Sequence, residues 1–155
     1  MDWLATSAEN CSIGRTLELV GEKWTLLIIR DAVNGVRRFD DFLRHIGLSA
    51  PVLAERLRRL VAAGILQPRP YQEEGKRTRT EYLLTDKGWD LQPALVALMQ
   101  WGDKHLADPE GPPVKLHHAA CGAPLRAAVI CERDKEIVGP RQTSARPGPM
   151  PRSVS

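Results

Sequence analysis

The sequence predicts a mainly helical α+β fold, and three observations predict it. Four segments between Cys11 and Gly64 carry apolar residues at helical spacing, each stopped by a glycine or an Asn-Gly turn. Residues 65–84 then change to two short extended runs around a charged loop. A further apolar-rich helical segment follows, and beyond a Pro- and Gly-rich break comes a short alternating stretch.

Taken in order, Ile13, Leu17 and Val20 share one face of the first helix, and Gly21 ends it. The second helix is expected over Lys23 to Val33, with Trp24, Leu27, Ile28 and Val33 inward, before the Asn34-Gly35 turn. The third is expected over Arg38 to Ile46, with Phe39, Phe42, Leu43 and Ile46 on one face and Gly47 as its C-terminal cap. Ser49 is the expected N-cap of a fourth helix with Pro51 in its first turn. Leu53, Leu57, Leu60 and Val61 form its buried stripe, leaving Pro51, Glu55, Arg58 and Ala62 outward and Arg56 and Arg59 on a flank.

The third and fourth helices form a helix-turn-helix. The hairpin directly after them, Ile65 to Leu84 with Lys76, Arg77 and Arg79 near its tip, is then a wing. The predicted architecture is therefore a winged helix-turn-helix with flanking dimerisation helices and a small C-terminal hairpin appendage. Thr85 or Asp86 caps the last long helix, and Pro93 imposes a late start or a kink. Its Leu91, Leu95, Leu98, Met99 and Leu106, with Trp89 and Trp101, are many apolar residues for a surface helix. Such a helix buries part of its face in a partner, so a homodimer is expected. The expected divisions are an N-terminal arm (1–10), the winged-helix domain with its dimerisation helices (11–107), a Cys/His-containing appendage (108–138) and a disordered tail (139–155).

Length and composition narrow the class. A chain of 155 residues, 43% hydrophobic and 26% charged, suits one soluble domain with a small appendage and a core that needs no disulfide staples. No apolar run approaches the roughly 20 residues of a membrane helix. The first ten residues lack the basic head and apolar stretch of a signal peptide, so a cytoplasmic location and no membrane partner are expected. Three cysteines argue for reduced thiols. The net charge of +3 is unevenly spread. Residues 37–80 hold ten basic and five acidic side chains, residues 1–36 three and five, and residues 81–155 nine of each. The positive band lies on the helix-turn-helix and wing, which favours a polyanion partner.

The run Cys11–Val33 (CSIGRTLELVGEKWTLLIIRDAV), Arg38-Phe39, Leu53-Ala54-Glu55-Arg56-Leu57, Tyr82-Leu83-Leu84-Thr85-Asp86-Lys87-Gly88 and Trp101-Gly102 resembles the HxlR-type, MarR-like winged helix-turn-helix regulators. The resemblance covers roughly residues 9–106. It implies a bacterial transcriptional regulator, a homodimer built by the first and last helices, acting as a repressor on a pseudo-palindromic operator of double-stranded DNA. It also places Cys11 where some members carry a cysteine that senses oxidants or electrophiles. The positive end of a helix favours a thiolate, the reactive form; the plainer reading of Cys11 is a small packing residue at the dimer interface. A small-molecule effector between the subunits is a further expectation of the resemblance, and no residue names the ligand. Ala50-Pro51 departs from the family, which more often has polar or basic residues there, so direct base readout is expected to be thin.

The expected DNA contacts are Ser49, Arg56, Arg58 and Arg59 on the fourth helix, Lys76, Arg77 and Arg79 on the wing, and Arg38 beside the third helix. Arg56 or Arg59 could instead pair with Glu55 or Asp41. His117, His118, Cys121 and Cys131 have the chemistry of zinc ligands. The position that would complete a Cys-x-x-Cys pair after Cys131 is Asp134, so a metal-free hairpin and no cofactor are the expectation. Trp24, Trp89 and Trp101 are expected to pack a core. No base–nucleophile pairing marks an enzyme. The rival readings are a winged-helix module that binds protein and, behind it, a small zinc or thiol protein.

Overall fold

The computed structural model describes residues 10–146 and 148. Most of the expected arm, and positions 147 and 149–155 of the expected tail, lie outside the described residues. The chain divides into two compact units, Ser12–Gln92 and a second made of the flanking stretches up to Cys11 and from Pro93 onward.

The first unit runs α1 (Ser12–Val20), α2 (Lys23–Val33), α3 (Phe39–Ile46), α4 (Ala50–Ala62), β1 (Leu66–Tyr71), β2 (Arg79–Leu84) and α5 (Asp86–Trp89). α2 matches its sequence-predicted span, because Asn34-Gly35 stops it with Gly35 at φ 88°. α3 begins at Phe39, since Arg38 is its extended N-cap, and Gly47 closes it in the left-handed region at φ 75°. The Gly47 amide donates to the Leu43 carbonyl, 3.1 Å, satisfying an end-of-helix acceptor. Ser49 stands at the N-cap of α4 with Pro51 in the first turn, but its side chain makes no capping bond.

The core of this unit is Val20, Ile28, Ile29, Ala32, Phe42, Leu53, Leu57, Leu60, Ile65 and Leu66. It draws on every helix from α1 to α4 and on the start of the wing. Trp24, Leu27, Val33 and Val61 are only half-buried, whereas Ile29, at a position the helical stripe did not include, is fully buried.

Asp31 is buried and fully occupied. Its Oδ1 accepts from Arg30 Nε and Nη2 at 2.8 and 2.7 Å, and its Oδ2 lies 2.6 Å from His45 Nδ1, joining α2 to α3. A carboxylate in this position needs such partners, because an unpaired buried charge is strongly unfavourable.

β1 and β2 are antiparallel, with Leu66 opposite Leu84 and Tyr71 opposite Arg79. β1 carries Pro68 and Pro70, which lack an amide to donate, and so suits an outer edge. The other edge of β2 is engaged: the Tyr82 amide donates to the Arg37 carbonyl at 2.8 Å, and Arg38 bridges to Glu81. Arg69 and Glu81, opposite each other, form a cross-strand ion pair at 2.6 Å. Thr85 caps α5 by accepting from the Gly88 amide, and its hydroxyl donates to the Gly64 carbonyl at 2.6 Å. Gly88 is required there, because a Cβ would lie 2.4 Å from the Ile65 carbonyl oxygen.

The second unit holds α6 (Gln92–His105) and a hairpin of β3 (Val129–Ile130) with β4 (Ile137–Val138). Pro93 has its expected effect: the helical stretch is divided, α5 ending at Trp89 and α6 starting at Gln92. The Gln100 side chain pins the appendage to α6, donating to the Leu125 carbonyl and accepting from the Ala127 amide, each at 2.8 Å. The expectation of a tryptophan core is corrected. Among the described tryptophans, Trp24 is half-buried, while Trp89 and Trp101 are 49% and 59% exposed, on helix faces that the described residues leave uncovered. Residues 139–146 have turns but no helix or strand. Among the described residues, no helix is long and apolar enough to cross a membrane.

Candidate nucleic-acid interface

α4 presents two unlike faces. Leu53, Leu57 and Leu60 are sealed in the core. Ala50, Pro51, Val52, Glu55, Arg58, Arg59 and Ala62 are exposed. This is the division that helical periodicity predicts, and it leaves a helix anchored on one side with its other side open.

The cations along α4 differ in their surroundings. Arg58 is 71% exposed and forked onto Glu55, with Nε 3.0 Å from Oε2 and Nη2 2.8 Å from each oxygen. Arg59 lies 3.9 Å from Glu22 and is exposed. Arg56 is largely covered, pairs with Glu22 of the α1–α2 turn, and keeps a buried Nε without a hydrogen-bond partner. Neither Arg56 nor Arg59 pairs with Glu55 or Asp41, which are taken by Arg58 and Arg44.

The wing and the start of α3 form a second cationic group. Arg38 Nη1 donates to Glu73 Oε1 and Lys76 Nζ to Glu73 Oε2, both at 2.6 Å. The Arg38 guanidinium lies 4.5 Å from the Tyr71 ring centre, a cation–π contact. Hydrogen bonds from Lys76 and then Arg38 hold the Glu73 carboxyl below its ordinary value, and Glu73 in turn pushes Arg38 further up. Arg79 opens β2 and pairs with Asp40 at 2.9 Å. Arg77 makes no ion pair among the described residues. It lines an open cleft of about 640 Å³ between α3 and the wing, with Phe39, Asp40, Tyr71, Arg79 and Tyr82.

Most of these cations thus rest on exposed carboxylates. Such surface pairs contribute little to stability. A phosphate can replace the carboxylate at small cost, so the pairing is compatible with a polyanion site. Sequence reasoning missed the carboxylate partners Glu22, Asp40 and Glu73. The three-residue spacings of Glu55–Arg58 and Glu73–Lys76 were readable signals; the pairings of Glu22 with Arg56, Asp40 with Arg79 and Glu73 with Arg38 depend on tertiary approach.

His118 Nδ1 lies 3.1 Å from Cys121 Sγ. His117 bridges to Pro124, and Cys131 is half-buried beside Asp134. Among the described residues, no three His, Cys, Asp or Glu side chains gather as a metal set, and no disulfide is formed. Cys11 is half-buried immediately before α1.

A half-buried helix after a tight turn, followed by a cationic hairpin, defines the winged helix-turn-helix class. The family model for the HxlR-like helix-turn-helix matches residues 19–110. The chain belongs to that family, whose members are transcriptional regulators. It is 48% identical over 141 residues to an HTH-type transcriptional regulator of Mycobacterium tuberculosis, covering 91% of this chain and 88% of the relative. It is 26% identical to the HTH-type transcriptional regulator YdeP of Bacillus subtilis, over 68% of this chain and 81% of that one. Among solved structures, PA1607, described as a candidate transcription factor, superposes with a TM-score of 0.79 at 34% identity, over 90% of this chain and 96% of that one. The oxidised redox regulator HypR gives 0.57 at 28% identity, over 63% of this chain and all of that one.

Proposed function

We propose that this chain is a homodimeric repressor that binds a pseudo-palindromic operator in the cytoplasm. α4 lies in the major groove and the wing reaches the backbone or minor groove. The single observation that carries this reading is α4 itself, sealed by Leu53, Leu57 and Leu60 on one side and open with Arg58 and Arg59 on the other. Arg38, Lys76, Arg77 and Arg79 supply phosphate contacts, Ser49 adds a donor at the start of α4, and Arg56 lies at the margin of the surface.

The dimer reading is supported by uncovered apolar side chains on two helices. α1 exposes Ile13 and Leu17 at 71% and 55%, and α6 exposes Leu98 and Trp101. A second copy is the expected cover. Light scattering tests it: Leu17→Asp with Trp101→Asp should convert a dimer to a folded monomer, and an unchanged mass would reject the interface.

Regulation would act on the separation of the two recognition helices, through a small effector between subunits or through oxidation of the Cys11 thiol. The position of Cys11 at the start of α1 and the likeness to HypR support the thiol route. If diamide releases DNA from the wild type and equally from Cys11→Ser, that route is excluded. The DNA reading is tested by duplex binding at low salt, where loss of binding in Arg58→Ala and Arg77→Ala with an unchanged melting temperature is the expected result.

A further inference from the structure

The outward face of α4 is poor in groups that read bases. At its centre lie Pro51, Glu55, Arg58 and Ala62, flanked by Val52 and Arg59, and all are exposed. Of the central four, only Glu55 and Arg58 have hydrogen-bonding side chains, and they are bonded to each other.

The geometry of that bond is selective. A guanidinium offers five N–H groups along distinct edges. Nε and Nη2 of Arg58 face the Glu55 carboxylate. Nη1 donates to no described residue. The Nη1–Nη2 edge is therefore the one left for a ligand, and it is the edge whose two parallel donors match O6 and N7 of guanine in the major groove. Glu55 fixes the plane of the guanidinium before DNA arrives. This reduces the side-chain freedom lost on binding.

We infer that Glu55 and Arg58 form one base-reading unit, in which Arg58 reads a guanine through its outer edge and Glu55 positions it. Each operator half-site then carries one G·C pair that this unit selects. The inference rests on the proposed placement of α4 in the major groove. Arg58 touches the base, and Glu55 acts through Arg58.

The test uses the full chain and duplexes selected by the wild type from a pool with randomised centres. Affinities are read by fluorescence anisotropy at one fixed salt concentration. The wild type should show one G·C pair per half-site whose replacement by A·T weakens binding about ten- to a hundredfold. Arg58→Lys keeps the charge but loses the fork, and Glu55→Gln keeps the shape but loosens the clamp. Both should reduce the penalty at that position to about threefold or less and leave other positions unchanged. Both side chains are exposed, so melting temperatures should not move. If Glu55→Gln tightens binding to every duplex alike and preserves the discrimination, Glu55 is only a competing charge and the inference fails. It fails too if no G·C position responds to Arg58→Lys. A wild type that binds no duplex at low salt overturns the proposed function itself, which separates the two failures.

Discussion

The two units of the chain are built on different physical terms. In Ser12–Gln92 the ten buried apolar side chains lie between Val20 and Leu66 and come from four helices, the first residue of β1 and Ile65 just before it. From Pro93 onward no large apolar side chain is buried among the described residues, and Leu98, Trp101, Leu106, Leu125, Val129, Ile130 and Ile137 are exposed. The first unit is held by apolar burial. The second is held by backbone hydrogen bonds, two short strands and the Gln100 clamp. Apolar surface exposed to this extent is the kind that a partner covers, and a bound partner would add stability by mass action.

Substitutions separate these two terms. Leu57→Ala, at a fully buried position on α4, should cost about 2–5 kcal/mol and lower the melting temperature of the whole winged-helix unit. Asp31→Ala removes the acceptor for Arg30 and His45 between α2 and α3, and should cost about 1–3 kcal/mol by thermal or urea unfolding. Gln100→Ala should act locally: faster hydrogen exchange at the Ala127 amide with little change in the melting of the first unit. Ile137→Ser, on the exposed hairpin, should shift the stability of an isolated monomer by no more than about 0.5 kcal/mol. A loss as large as that for Leu57→Ala would show that the hairpin has a core of its own and would remove the contrast.

The pH response of the wing is a finer measure. Glu73 has a depressed folded-state value, so the bonds it makes to Arg38 and Lys76 add stability above the ordinary glutamate value of 4.5. That contribution is lost as the pH falls below it, through the depressed value. The protection factors of wing amides relative to Glu73→Gln, a ratio that cancels the intrinsic pH dependence of exchange, should therefore hold steady from neutrality down to about 4.5 and fall below it.

The contrast also explains what the sequence revealed. The order of the helices, the stops at Asn34-Gly35 and Gly47, the break at Pro93 and the wing were legible, because apolar periodicity and turn chemistry are local. The buried and open faces of α4 followed from the same arithmetic. The partners Glu22 for Arg56, Asp40 for Arg79 and Asp31 for His45 were not legible, because charged side chains carry no periodic signal of who meets whom across helices. The exposure of Trp89 and Trp101 was missed for a related reason. Helical spacing marks an apolar face but not whether the same chain covers it.

The appendage was legible as a hairpin but not in its pairing. Leu125–Ile130 alternates, yet its strand pairing is confined to Val129 and Ile130, with Val138 and Ile137, while at its start the Leu125 amide donates to the Leu116 carbonyl at 3.0 Å.

The central claim is that the open face of α4 and the wing bind duplex DNA. The salt dependence of the binding constant tests it most directly. Each phosphate neutralised releases counterions, so log K should fall linearly with log salt, with a slope of about −0.9 per phosphate contacted. Arg77→Ala should make that slope shallower by about one unit. A salt-independent binding constant, or no duplex binding at low salt, would contradict the account.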